Sequence, residues 1–168
     1  KGIFMDVIPE NVNILESIVT PTYFEKFPAC LIGLIKEREF LKGSIRFLGA
    51  ACSRIDRGYG AIIMSKAIPA LKKKYDVIID YNGQYSQYYM IDKLISDKKI
   101  TYFHSDYRMW DYYQNADVCY YEKSDYIVTV SEECVNSIKN IFPKVEYKVK
   151  KIENIISERT VNLFPINS

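Results

Sequence analysis

Residues 126–154, YIVTVSEECVNSIKNIFPKVEYKVKKIEN, decide the fold. Tyr126 to Val130 (YIVTV) is rich in β-branched residues and reads as a strand. Ser131 stands where a helix N-cap belongs, and Glu132 and Glu133 suit the positive end of a helix dipole. Val135, Ile138 and Phe142 recur at helical spacing until Pro143 stops the run. Tyr147 to Ile152 reads as the next strand and closes in Glu153-Asn154. Strand, helix and strand at this spacing make a βαβ unit, hence parallel strands with a right-handed crossover.

Working upstream, the same alternation recurs. Val77 to Tyr81 is a short apolar run followed by the turn pair Asn82-Gly83. Gln84 to Asp97 reads as a helix through Tyr88, Ile91 and Ile95, and Lys99 to Phe103 as a strand. A helix with Trp110, Tyr113, Ala116 and Tyr120 on one face follows. Nearer the amino end the pattern is looser. Residues 11–17 (NVNILES) read as a strand, and residues 26–48 as helical with Leu31, Leu34, Ile35, Phe40 and Leu41 inward. Residues 53–60 (SRIDRGYG) read as a loop or helix break, and residues 61–75 as a helix bent at Pro69, with Lys72 to Lys74 as its solvated end. The expected architecture is one Rossmann-like α/β domain over residues 1–168, a parallel sheet flanked by helices.

Composition narrows the function classes. A chain of 168 residues that is 48% hydrophobic can bury a real core. A net charge of +2 gives no strong pull toward nucleic acid. The 15 tyrosines suit half-buried positions, and tyrosine also stacks on sugars and bases. Cys30, Cys52, Cys119 and Cys134 lack C-x-x-C spacing, and a single histidine cannot complete a usual zinc set, so they read as buried free thiols. No D-x-D, P-loop, dinucleotide-binding or nucleophile-elbow motif is present. No apolar run is long enough to span a bilayer, and the start does not read as a signal peptide. The first residue is Lys, so the chain is expected to begin inside a longer gene product.

In an open parallel sheet, ligands bind beyond the carboxyl ends of the strands. Four strand ends here are polar: Asp80/Asn82/Gly83, His104/Ser105/Asp106, Ser131 and Glu153/Asn154. Their convergence on one edge predicts a cleft. His104, the one imidazole, can donate, accept or change charge near neutral pH. Each residue also has a structural reading. Asn82-Gly83 serves a turn, although a glycine before a helix can bring N–H groups to an anion. Ser131 serves a cap, Asn154 a turn, and His104 a hydrogen bond at a strand end. Asp106 orients the imidazole or, by preference, caps the next helix. Arg54, Arg57 and Arg108 are the cations available for phosphate or carboxylate groups.

The pieces YDVIIDYNG (75–83), KKITYFHSDY (98–107), KSDYIVTVSEECVNSI (123–138) and KVKKIENIISE (148–158) carry a resemblance. In this order and spacing they resemble the amino-terminal domain of GT-B glycosyltransferases of the family 4 type. The likeness is strongest to bacterial enzymes that build capsular, exopolysaccharide and related surface glycans. IPENVNILE (8–16) resembles the segment before that family's third strand. The family's first strand and its glycine turn are expected before Lys1. Residues 155–168 are expected to begin the interdomain linker or a tail, and Ser157 stands where the family has Asp.

The resemblance implies the acceptor-binding half of a retaining, metal-independent glycosyltransferase, inactive or nearly so alone. The nucleotide-sugar is then a substrate, held mainly by a carboxyl-terminal GT-B domain outside this chain, and no separate cofactor is expected. The acceptor is a glycan or a lipid-linked glycan. His104 is implied at the reaction centre, positioning groups and stabilising charge. Asn82, Gly83, Ser105, Asp106, Tyr107, Ser131 and Asn154 are implied around the substrates. The implied location is cytoplasmic, with peripheral contact at the inner face of the plasma membrane if the acceptor is lipid-linked. The basic segment Lys36 to Arg46 is the candidate for that contact, or else an ordinary amphipathic surface helix. Two other readings stand beside this one: a non-catalytic Rossmann-like ligand-binding module, and a half that only docks a partner. The docking reading predicts an exposed apolar patch near the carboxyl terminus.

Overall fold

Four strands, β1 (Lys74–Asp80), β2 (Ile95–Phe103), β3 (Tyr126–Thr129) and β4 (Val149–Lys151), form one all-parallel sheet in sequential order. The structure, a computed structural model, describes residues 8–15, 19–83 and 85–154. Three helices connect the strands: α4 (Tyr85–Lys93), α5 (Gln114–Lys123) and α6 (Glu132–Ile141). The domain is therefore α/β and Rossmann-like, as the βαβ spacing predicts.

Sequential order with one hand of crossover puts every connecting helix on the same side of the sheet. The core follows from this. Phe103, Ile127 and Val149 pack with Tyr121 of α5 and Val135 and Ile138 of α6. On the same face Asp80 meets Ser86 of α4, and Lys99 reaches the Ile91 carbonyl. Three earlier helices, α1 (Ala29–Lys36), α2 (Phe40–Cys52) and α3 (Arg57–Ser65), make a further layer, in which α3 packs on α4 and α5. That approach is close. A Cβ on Gly60 would stand 2.7 Å from the Gly49 carbonyl, so α2 and α3 touch backbone to backbone.

Among the described residues no connecting helix covers the opposite face of the sheet, although Val128 on it is buried. Register places Val77, Ile79, Ile100, Tyr102, Tyr126 and Val128 there, and Val77, Ile79 and Tyr126 are exposed. Among the described residues β1 is an edge and pairs only with β2.

Tertiary context moved several boundaries. Helix α4 ends at Lys93, not Asp97, because Ile95 and Ser96 pair with Lys74 and Tyr75 in the sheet. The Ile91–Ile95 spacing fits a helix, but a ladder of interstrand bonds outweighs one periodic coincidence. α3 begins at Arg57 and ends at Ser65, ahead of Pro69, so the predicted helix over 61–75 stops early. Lys74 is a strand residue in an ion pair with Asp97, and the Lys72–Lys74 cluster is no helix end. Asp56 caps α3 through the Tyr59 N–H at 3.0 Å, which shortens the expected loop over 53–60. Residues 26–48 hold two helices, separated near Arg38 at φ 60°. Of their expected inward residues only Leu34 is fully buried, while Ile35, Phe40 and Leu41 are exposed. Residues 11–15 form a turn and irregular chain, not the predicted strand, and residues 16–17 lie outside the described set. The last strand starts at Val149 because Pro143–Lys148 coil into a 3-10 helix. Cys30 and Cys134 are buried free thiols, but Cys119 is exposed.

The tyrosines build much of the interior. Asp117 is buried on α5 and accepts from the Tyr88 and Tyr107 hydroxyls, each at 2.5 Å. Burial raises the Asp117 carboxyl to about 6, against the lowering pull of those two donors. Both phenols are pushed well above their usual value, by burial first and then by the neighbouring carboxylate. Tyr120 donates to Asp92 at 2.8 Å.

Candidate active site

The carboxyl end of β1 is locked by its own last residue. Asp80 accepts from the Asn82 N–H at 3.3 Å, the Gly83 N–H at 3.2 Å and the Ser86 hydroxyl at 2.6 Å. Gly83 sits at φ +70°, and a Cβ there would stand 3.1 Å from the Tyr102 carbonyl. The turn thus needs glycine for both reasons. Its N–H groups are already taken by Asp80, so they do not cradle an anion. Burial raises the Asp80 carboxyl, partly offset by the three hydrogen bonds.

β2 ends beside that turn. His104 Nε2 donates to the Tyr81 carbonyl at 2.9 Å. A carbonyl only accepts, so this contact places a proton on Nε2 and leaves Nδ1 as the acceptor of the neutral ring. The imidazole stacks on Tyr102, two residues earlier on the same face of the strand, at 5.7 Å and 20°. It meets the Tyr81 ring edge-on at 4.5 Å. Tyr81 and Tyr102 lie 4.9 Å apart at 43°, completing an aromatic trio.

These rings wall a cleft of about 560 Å³, whose far side is Ile152, Glu153 and Asn154 beyond β4. The end of β4 is tied to β3 by the Ile152 N–H, which donates to the Thr129 carbonyl at 2.9 Å. The cleft opens at the carboxyl edge of the sheet, on the face that carries no helix. The strand order has no reversal among the described strands, so it does not lie at a switch point.

Three of the eight predicted site residues, Asn82, His104 and Asn154, line this cleft. The other five do not. Gly83 is buried in the turn. Ser105 is exposed and outside the lining. Asp106 caps the 3-10 helix after β2, accepting the Arg108 N–H at 3.0 Å; it also binds the Arg108 guanidinium and the Ser137 hydroxyl. Those contacts, Arg108 first, hold its carboxyl well below the usual range. Tyr107 is a core residue bonded to Asp117 and lies outside the cleft lining. Ser131 caps α6, accepting the Cys134 N–H at 3.3 Å.

The sequence reading missed Tyr81, Tyr102 and Ile152 as cleft residues, and it named Glu153 as a polar strand end without a role in the site. Strand alternation carried a signal for Tyr102, which must share a face with His104. For Tyr81 it takes the register, which sets the end of β1 beside that of β2. Among the described residues no group of three His, Cys, Asp or Glu could hold a metal ion, and no helix is long and apolar enough to cross a membrane. No family model, curated protein or solved structure matches this chain.

Proposed function

We propose that this chain is the acceptor-binding half of a retaining glycosyltransferase that moves a sugar from a nucleotide-sugar to a glycan or lipid-linked acceptor. The observation that carries the reading is His104 standing in an aromatic-walled cleft where three parallel strands end. In such a transfer the bond from the sugar carbon to the phosphate oxygen breaks. The acceptor oxygen bonds to the same carbon on the same face, and its proton passes to the departing diphosphate. With Nε2–H committed to Tyr81, the Nδ1 lone pair is free to accept a hydroxyl hydrogen bond. His104 is then a positioning group rather than a nucleophile. The lining holds no Lys or Arg among the described residues, which fits a nucleotide diphosphate held by a separate carboxyl-terminal domain.

Peripheral membrane contact belongs to the same proposal. Phe40, Phe47 and Leu48 of α2 and Ile35 of α1 are exposed and line a groove of about 490 Å³, and Leu41 is exposed next to Phe40 in the chain. Lys42 is paired with Glu39, and Arg46 donates to the Tyr23 carbonyl, so apolar area rather than charge is the stronger feature.

The test uses the product of the whole open reading frame and a panel of nucleotide-sugars with a glycan acceptor. His104→Ala is expected to lower transfer about 100-fold with the fold intact. Transfer at the wild-type rate would leave the histidine structural. One observation favours the docking reading instead: the exposed apolar sheet face, continued at Ile152. A stable complex through that face, without sugar transfer by either partner, would favour it.

A further inference from the structure

We infer that the cleft at the carboxyl edge of the sheet binds an uncharged pyranose ring, stacked on the Tyr81–Tyr102 wall, and discriminates against uronates and sugar phosphates through Glu153. The inference rests on the glycosyltransferase reading for its biological context but on this site alone for its chemistry.

The wall is built to present ring faces. Tyr81 is 61% exposed although it follows a strand directly, and Tyr102 and His104 are half-buried. Their mutual angles of 43°, 61° and 20° make a bent aromatic surface rather than a closed stack. The axial C–H face of a pyranose is weakly positive and apolar, and it complements the negative face of a phenol ring. Polar residues share the lining with that surface: Asn82, Asn154 and His104, whose Nδ1 is not used in the bond to Tyr81. Amides both donate and accept, as sugar hydroxyls require.

Charge sets the class of sugar. Glu153 is the one charged residue in the lining among the described residues. The cation beside it, Lys151, is 3.1 Å from Glu153 and also 3.1 Å from Glu132, so two carboxylates share one ammonium. Lys150, the other cation of β4, lies outside the lining, so within the cleft the fixed charge is the Glu153 carboxylate. A carboxylate or phosphate on the ligand would meet repulsion with no guanidinium to answer it, whereas a hydroxyl can donate to Glu153.

The experiment is saturation-transfer NMR on the 168-residue chain. The probes are the methyl glycosides of glucose, galactose, mannose and N-acetylglucosamine, with glucuronic acid, galacturonic acid and glucose 6-phosphate for comparison. At least one neutral glycoside should receive saturation, strongest at the protons of one ring face, and at least 5-fold more than its anionic counterpart. Tyr81→Leu and Tyr102→Leu should abolish the signal and Tyr81→Phe should keep it, with circular dichroism confirming the fold of each. Glu153→Gln should narrow the neutral-to-anionic ratio to within 2-fold. Saturation of none of the four neutral glycosides, or anionic probes binding as well as neutral ones, overturns the inference. A whole gene product that transfers sugar while the cleft ignores neutral glycosides refutes this assignment and keeps the glycosyltransferase reading. Selective glycoside binding without any transfer does the reverse.

Discussion

The Nε2–H of His104 donates to the backbone carbonyl of Tyr81 at 2.9 Å, joining the ends of two neighbouring parallel strands. The bond fixes the ring in one tautomer and aims its other nitrogen away from that carbonyl. It also ties the orientation of the candidate reactive ring to the turn at residues 80–83. Changes in that turn should therefore reach the cleft.

Gly83→Ala tests this coupling. The substitution places a Cβ at a positive φ and 3.1 Å from the Tyr102 carbonyl. A non-glycine residue in that region costs about 1–3 kcal/mol. Urea denaturation should show a loss in that range, and the ring signals of Tyr81, Tyr102 and His104 should shift in NMR spectra. Unchanged ring signals would uncouple the turn from the cleft.

Ser131 distinguishes a cap from a substrate contact. Its hydroxyl accepts the Cys134 N–H at the start of α6, outside the cleft lining. Ser131→Ala should lower stability by about 1 kcal/mol, and Ser131→Asp should largely restore it. If the proposed glycosyl transfer holds, transfer by the whole gene product should stay within 2-fold of wild type in both; a 10-fold loss in the stable Asp variant would make Ser131 a substrate residue.

Asp117 supplies a pH dependence. Its folded carboxyl titrates near 6, above the ordinary 3.8, because burial outweighs the donors Tyr88 and Tyr107, with Asp56 adding repulsion. The folded state therefore holds this proton more tightly than the unfolded chain. Its contribution to stability is fully present below about pH 4, is lost as pH rises through 6, and is constant above that, a change of about 3 kcal/mol. Asp117→Asn removes the titration. The difference in unfolding free energy between wild type and variant should fall from pH 4 to pH 7; a flat difference would mean that the tyrosine hydroxyls fully offset burial.

The exposed apolar surface of α1 and α2 gives the fourth prediction. Cosedimentation with vesicles containing anionic lipid should fall at least 5-fold in Phe40→Ser/Leu41→Ser, with little change in Tm, since both side chains are exposed, Leu41 at 75%. Binding should weaken only modestly with salt, because Lys42 and Arg46 are locally engaged. No binding by the wild-type chain would remove membrane contact through this face.

Local rules made much of the second half legible. β-branched runs, a serine cap followed by two glutamates, and Pro143 specify strands and helix ends through backbone sterics and nearby hydrogen bonds. Those effects act within a few residues, so β3 and α6 could be read directly. Where two local signals competed, as at Ile95, only the pairing with Lys74 decided for strand.

The site was legible in part for the same reason. A polar residue after an apolar run marks a strand end, which identified Asn82, His104 and Asn154. Whether such a tip faces a cleft, a cap or the core depends on partners distant in the chain: Tyr107 turned inward to Asp117, and Asp106 was taken by Arg108 and Ser137. By itself the sequence determined the α/β alternation, the parallel sheet and the polar strand ends, because each follows from short-range periodicity and capping. Only the tertiary structure decided that the helices share one face, that Tyr81 and Tyr102 frame the imidazole, and that Glu153 faces them. Those facts depend on strand order and register, which are set by burial summed over the whole core.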